Sequence, residues 1–200
     1  MKFEVATSKY LDSICEITEQ AKAQLRRIGI DQWQKGYPSR EIWEEDIEIG
    51  RSYILTDEGK VLGAFAYQES PDASYYEIDG KWLTDGAYAS MHRVCVADAC
   101  KGRGVAGRLF TYGCEKARES GFPSMRIDTH PGNIPMQKAL QKAGFQQCGT
   151  IVLAEGSEKG DLRIAFEKII KKVMFINNGT LLIMRSILFL EINSRISQML

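Results

Sequence analysis

The sequence predicts an α+β domain: a sheet of mixed direction with helices packed on it. Three observations lead there. Short alternating apolar stretches come as hairpin neighbours, two helical stripes precede the first hairpin, and a glycine-rich loop joins a β-like run to an amphipathic helix. With 200 residues, 44% of them hydrophobic and 26% charged, the chain is long enough to bury one core of ordinary size. Its net charge of zero carries no electrostatic signature of a nucleic-acid or anionic-membrane partner.

Residues 3–7 alternate weakly and read as a first strand. Leu11, Ile14, Ile17, Ala21 and Leu25 form a helical stripe over residues 9–28, closed by Gly29. Residues 30–38 read as a loop. Ser39 is the expected N-cap of a short helix that buries Ile42, Trp43 and Ile47. Residues 51–56 and 60–68 form a hairpin around Asp57, Glu58 and Gly59. Residues 70–86 are polar, aromatic and poorly periodic, hence a long loop of the kind that carries function. A strand over 88–96 and a helix over 105–119 flank the glycine loop. A strand over 124–129 follows, then a helix over 134–142 capped by Asn133 and closed by Gly144. Residues 145–152 and 161–167 are a last strand pair.

The richest stretch is MHRVCVADACKGRGVAGRLF, residues 91–110. A glycine loop that opens a helix offers backbone N–H groups to a pyrophosphate. Two fingerprints fit. Gly102, Gly104 and Gly107 spell the dinucleotide signature, with Asp128 about 20 residues beyond. That reading makes the protein a nicotinamide oxidoreductase. The polar spacer between Val96 and Gly102 and the lack of further βα units argue against it. Alternatively, Lys101, Gly104 and Ala106 give a basic-x-x-G-x-A loop.

This second pattern resembles the acyl-CoA loop of the GNAT N-acetyltransferase superfamily. The resemblance covers about residues 2–168 and rests on three blocks in order: VCV before KGRGVA, the strand RIDTH, and N-x-x-M followed by K-x-G-F. QW…GYP near the N-terminus, with HR before the glycine loop, is similar to a subfamily of uncharacterised bacterial acetyltransferases. The resemblance implies a mostly antiparallel sheet with a splayed central strand pair and helices on both faces. It also implies acetyl-CoA as co-substrate. Val94, Cys95 and Val96 would meet the pantetheine. Lys101, Gly102, Arg103, Gly104, Val105, Ala106 and Gly107 would hold the pyrophosphate, and Asn133 and Met136 would complete the cofactor site.

The implied reaction is attack of a neutral amine on a thioester, which needs a base and an outlet for the thiolate. The family's usual tyrosine, four residues before the glycine of K-x-G-F, is Leu140 here. A water, or a tyrosine from elsewhere such as Tyr88, Tyr76 or Tyr75, is the expected substitute, unless the thiolate departs without a strong acid. His92, Glu77 and His130 are the candidate bases. Strict alternation would put His92 on one face with Val94 and Val96. Trp33, Tyr37, Trp82 and His130 are expected to line the acceptor site. A small-molecule amine or a peptide is the expected acceptor. The alternative to an enzyme is a non-catalytic acyl-CoA-binding sensor, which Leu140 keeps open.

Five scattered cysteines without a C-x-x-C pair read as reduced thiols, and MKFEVATSKY is no signal peptide, so a cytoplasmic protein is expected. Residues 169–200 form an apolar extension too charged to span a bilayer. It is expected to be an added helix, a homodimerisation element or a poorly ordered tail.

Overall fold

The computed structural model describes residues 1–171, 174–177 and 180–183. Its elements are β1 (Lys2–Val5), α1 (Leu11–Arg27), α2 (Arg40–Glu48), β2 (Ser52–Asp57), β3 (Lys60–Gln68), β4 (Asp79–Gly80), β5 (Ala89–Val96), α3 (Val105–Glu119), β6 (Ser124–Thr129), α4 (Ile134–Lys142), β7 (Gln146–Val152) and β8 (Leu162–Ile169). Eight strands form one sheet in the order β1-β2-β3-β5-β6-β8-β7-β4. All neighbours are antiparallel except β5 and β6.

Helices cover both faces. On one face Leu109 and Phe110 of α3 and Leu140 of α4 pack with Phe65, Met91, Ile127 and Phe166 of the sheet. On the other, Ile14 and Ile17 of α1 and Trp43 of α2 pack with Ile54 and Ala64. A third apolar group, Tyr75, Trp82, Tyr88, Ile151 and Ala165, continues the α1/α2 face towards β7. Ser39 does sit at the N-cap of α2, but its side chain makes no cap bond. The cap of α4 is made: Asn133 accepts from the Met136 N–H.

Two irregularities build the centre of the fold. First, β5 and β6 pair only at Ala89 with Met125 and Ser90 with Arg126. From Met91 onward the strands diverge, giving the splayed pair. Second, Ala64 faces Cys95 while Ala66 faces His92, so Phe65 alone opposes Arg93 and Val94. This is a β-bulge, and Arg93 takes a left-handed backbone (φ 55°) to make it. The bulge shifts the alternation by one. Ala89 and Met91 face α3 before it, and Val94 and Val96 face α3 after it. His92 therefore lies on the opposite face from Val94 and Val96, which corrects the expectation from simple alternation.

The long loop holds a strand that sequence patterning missed. Asp79 and Gly80 pair with Thr150 and Gly149 as the sheet's last edge. The backbones approach so closely that a Cβ on Gly149 would overlap Asp79, and Gly149 sits at φ +151°. Gly149→Ala is expected to detach this edge and lower the melting temperature by about 4 °C or more. Thermal unfolding followed by circular dichroism checks it.

In the extension, Met174–Asn177 and Thr180–Ile183 pair as an antiparallel hairpin in a sheet of their own. These stretches are strands where a helix was one expectation. Residues 184–200, on which the other expectations for the tail fall, lie outside the described residues.

Candidate active site

A cleft of about 730 Å³ lies where β5 and β6 part. That volume is typical of small-molecule sites. The cleft has a glycine-loop end and an end walled by ionisable residues.

Of the expected cofactor residues, Val94, Cys95, Val96, Lys101, Gly102, Ala106, Asn133 and Met136 line the cleft. β5 has no ladder partner on its β6 side from Met91 onward, so its backbone groups there are left for a ligand. The Cys95 side chain is buried against α1, 3.9 Å from Thr18 Oγ1, and burial pushes its thiol up to about 12. Only the backbone of Cys95 is available. Gly104 is the N-cap of the 15-residue α3 and takes a left-handed conformation (φ 77°). A Cβ at Gly102, Gly104 or Gly107 would meet no atom within 4 Å, so the loop's outer surface is open to an approaching anion.

Val105, the first residue of α3, is buried in the core; it, Arg103, Gly104 and Gly107 lie outside the cleft lining, with the glycine loop bordering the cleft's end. The ammonium of Lys101 is held by Gln24 Oε1 and Asp98 Oδ1 rather than standing apart.

The other end draws on distant segments. Asp128 on β6 accepts the Tyr75 hydroxyl at 2.8 Å through Oδ1. Its Oδ2 lies 3.9 Å from Nε of Arg163 on β8. Arg163 is 1% exposed and pairs with Glu158 at 3.0 Å. Glu158 in turn accepts the Trp33 N–H. Trp33 holds a left-handed backbone (φ 67°) and, with Tyr37, lines the cleft. Burial, outweighing the Tyr75 hydrogen bond and the nearby Arg163, pushes the Asp128 carboxyl up to about 6.

His92 lines the same wall. Its Nε2 is 3.0 Å from Ser90 Oγ and 3.5 Å from Asp72 Oδ2. Burial and the adjacent Arg93 push its imidazole down to about 4, so it is neutral at pH 7 and a weak base. Arg93 is tied to Asp46 and the Tyr37 hydroxyl.

The remaining candidates lie outside the cleft lining. Glu77 is exposed and outside the cleft. Tyr88 and Trp82 sandwich the Arg126 guanidinium, 4.0 and 4.1 Å from the ring centroids, and are core. The Tyr88 hydroxyl receives the Asp72 N–H, so Tyr88 shapes the wall without entering the cleft. His130 organises the turn before α4, accepting from the Gly132 N–H and pairing with Asp31. Leu140 is wholly buried, so no donor replaces the family tyrosine there.

Sequence reasoning missed Gln32, Asp72, Glu158 and Arg163 and singled out Asp128 only as the acidic residue of the dinucleotide signature. One signal was available: in LRIAF, Arg163 stands in phase with the buried Ala165, an expensive place for a guanidinium without carboxylate partners.

The comparisons agree with this geometry. Residues 16–145 match the acetyltransferase (GNAT) family profile. No curated protein matches the chain significantly. A GNAT-family acetyltransferase structure from Streptococcus agalactiae is 31% identical over 86% of this chain and 96% of its own, with a TM-score of 0.75. A GNAT-family acetyltransferase from Listeria monocytogenes (19% identity, 84% of this chain, 94% of its own, TM-score 0.62) shares the fold. So does a ribosomal-protein-alanine N-acetyltransferase from Brucella melitensis (18%, 84%, 99%, 0.59). The split sheet beside a glycine-capped helix is thus an acetyltransferase architecture. The chain belongs to the acetyltransferase (GNAT) family.

Proposed function

We propose that the protein is an acetyl-CoA-dependent N-acetyltransferase that passes an acetyl group directly to a primary amine of a small molecule or peptide. The observation that carries this reading is the unpaired half of β5 running into the open glycine loop and α3. That continuous surface suits a pantetheine arm followed by a pyrophosphate. Acetyl-CoA, when bound, supplies an activated acyl group. The chain supplies N–H groups around Gly102 and Gly104, the free edge of Val94 and Val96, and contacts from Asn133, Met136 and Ala106.

An alkylammonium must lose a proton before it attacks, at a cost of roughly 4–5 kcal/mol at pH 7. Asp128 is the base in this reading. It faces the cleft across from the free edge of β5, and a carboxyl near 6 is ionised at pH 7 yet accepts protons far better than an ordinary aspartate. From ammonium to amide the nitrogen would lose two protons, one to Asp128 before attack and one to water as the C–N bond forms and the C–S bond breaks; the departing thiolate would take its proton from water.

His92 is a positioning residue here, holding the wall with Asp72 and Ser90. His92→Gln is expected to lower kcat less than about tenfold and to leave the acid limb of the pH profile in place. A shift of that limb would make His92 the base instead.

A second reading, a non-catalytic acyl-CoA sensor, is favoured by Leu140, whose buried side chain offers no acid. Release of free thiol from acetyl-CoA in the presence of amines separates the two. Cytoplasmic residence fits the free cysteines among the described residues. In the described residues no helix is long and apolar enough to cross a membrane. Pairing with a second copy of the chain is the role proposed for the apolar extension.

A further inference from the structure

Lys101, Arg93, Arg163 and Arg51 line the cleft, and the first three are engaged within the fold. Lys101 is held by Gln24 and Asp98. Arg93 gives Nε and Nη2 to Asp46 and Nη1 to the Tyr37 hydroxyl. Arg163 gives Nη1 to the Leu162 carbonyl and Nη2 to Glu158. Arg51 differs. Its Nε donates to Asp46 Oδ1, and among the described residues neither terminal nitrogen has a partner. The Arg51 side chain is 30% exposed, against 10% for Arg93 and 1% for Arg163. Asp46 is fully buried and shared by two guanidinium groups, so this cluster carries one unbalanced positive charge. Anchored through Nε, the planar fork leaves Nη1 and Nη2 in the geometry that matches a carboxylate.

The strand register places this fork relative to the base. The Tyr67 N–H donates to the Arg51 carbonyl, and Tyr67 faces Met91 on β5. Ser90 faces Arg126, so Asp128 stands two residues further along β6, level with His92. From β6 across β5 and β3 to β2 is about 14 Å, three strand spacings, part of which the two side chains span. The positive charge of Arg51 is also felt at His92, where it favours the neutral imidazole. Asp72, Asp128 and Glu155 line the same cleft, so it is polarised: a cation is drawn to the carboxylates and an anion is repelled everywhere but at Arg51.

Resting on the acetyltransferase reading above, we infer that Arg51 is the anion subsite of the acceptor and that the acceptor is an ω-amino acid. Its carboxylate takes Nη1 and Nη2 of Arg51, and its amine, several carbons away, is acetylated beside Asp128. A single unbalanced positive charge matches a monoanionic carboxylate rather than a dianionic phosphate.

The test compares 6-aminohexanoate, the neutral 6-aminohexanamide and glycine, whose amine and carboxylate are too close to reach both groups. Thiol release is measured on the full chain saturated with acetyl-CoA, and each amine's binding is measured by calorimetry. In kcat/KM, 6-aminohexanoate is expected to exceed its amide by about tenfold or more, and glycine likewise. In Arg51→Gln the ratio of carboxylate to amide is expected to fall to about one. A ratio taken within one protein is insensitive to a general loss of active chains, and the comparison in the parent stands if the variant fails to fold.

An amide rate equal to the carboxylate's in the parent overturns the proposal. So does a glycine rate at or above that of 6-aminohexanoate, or a carboxylate preference that survives in Arg51→Gln. If acetyl-CoA binds and the two six-carbon amines bind alike, the subsite is wrong and the acyl-CoA reading stands. If 6-aminohexanoate binds more tightly than its amide without turnover, the subsite stands and the sensor reading replaces the enzyme. Failure to bind acetyl-CoA overturns the reading on which the proposal rests.

Discussion

Asp128→Asn is expected to slow acetyl transfer by about 10²–10³-fold with little change in acetyl-CoA affinity. Asparagine keeps the shape and still accepts the Tyr75 hydroxyl, but it cannot take a proton. In the parent protein kcat/KM is expected to fall as pH drops through about 6, where Asp128 becomes protonated. Arg163 and Tyr75 favour the ionised carboxylate, while burial, Asp72 and Glu158 oppose it.

The same shift has a consequence for stability, and its sign is opposite to that of a salt-bridged aspartate. The Asp128 carboxyl lies near 6 in the fold against an ordinary 3.8. Between those values the folded chain holds the proton more tightly than the unfolded chain does. This group's contribution to stability therefore declines as pH rises from about 4 to about 6. Above that window the ionised side chain, 13% exposed, costs the fold on the order of 1–3 kcal/mol. Asp128→Asn should thus be slowed by that factor yet melt no lower than the parent at pH 8. A variant that melts lower and transfers normally contradicts both assignments.

Gly104→Glu has the second large effect. Gly104 caps α3 with φ 77°, and no atom lies within 4 Å of its Cβ direction. A glutamate there strains the backbone by about 1–3 kcal/mol but meets no clash. Its carboxylate then sits at the positive end of the helix, where the pyrophosphate is expected. Like-charge apposition costs several kcal/mol, so affinity for acetyl-CoA is expected to fall by about 10²-fold or more while the fold survives. Calorimetric titration of the variant, with circular dichroism for folding, checks both parts.

Much of this architecture is local and was legible. The stripe of Ile14 and Ile17, the hairpin around Gly59, the glycine loop and the Asn133 cap each follow from residues close in sequence. What escaped is set by register and long-range pairing. The bulge at Arg93 is a one-residue slip against Phe65, and it moved His92 to the opposite face from the cofactor edge. No periodicity predicts it. Likewise Glu158 and Arg163 lie in the last hairpin, yet they reach Trp33 and Asp128. The aromatic-rich loop misled because Trp82 and Tyr88 serve Arg126, whose charge they and Glu167 hold inside the core.

The central claim is that the cleft between β5 and β6 receives acetyl-CoA across the glycine loop. Calorimetric titration of the full chain with acetyl-CoA, with NADH in parallel, tests it most directly. Micromolar-range binding of acetyl-CoA, lost in Gly104→Glu and absent with NADH, is the predicted result. Binding of NADH, or acetyl-CoA binding that Gly104→Glu leaves unchanged, would contradict it.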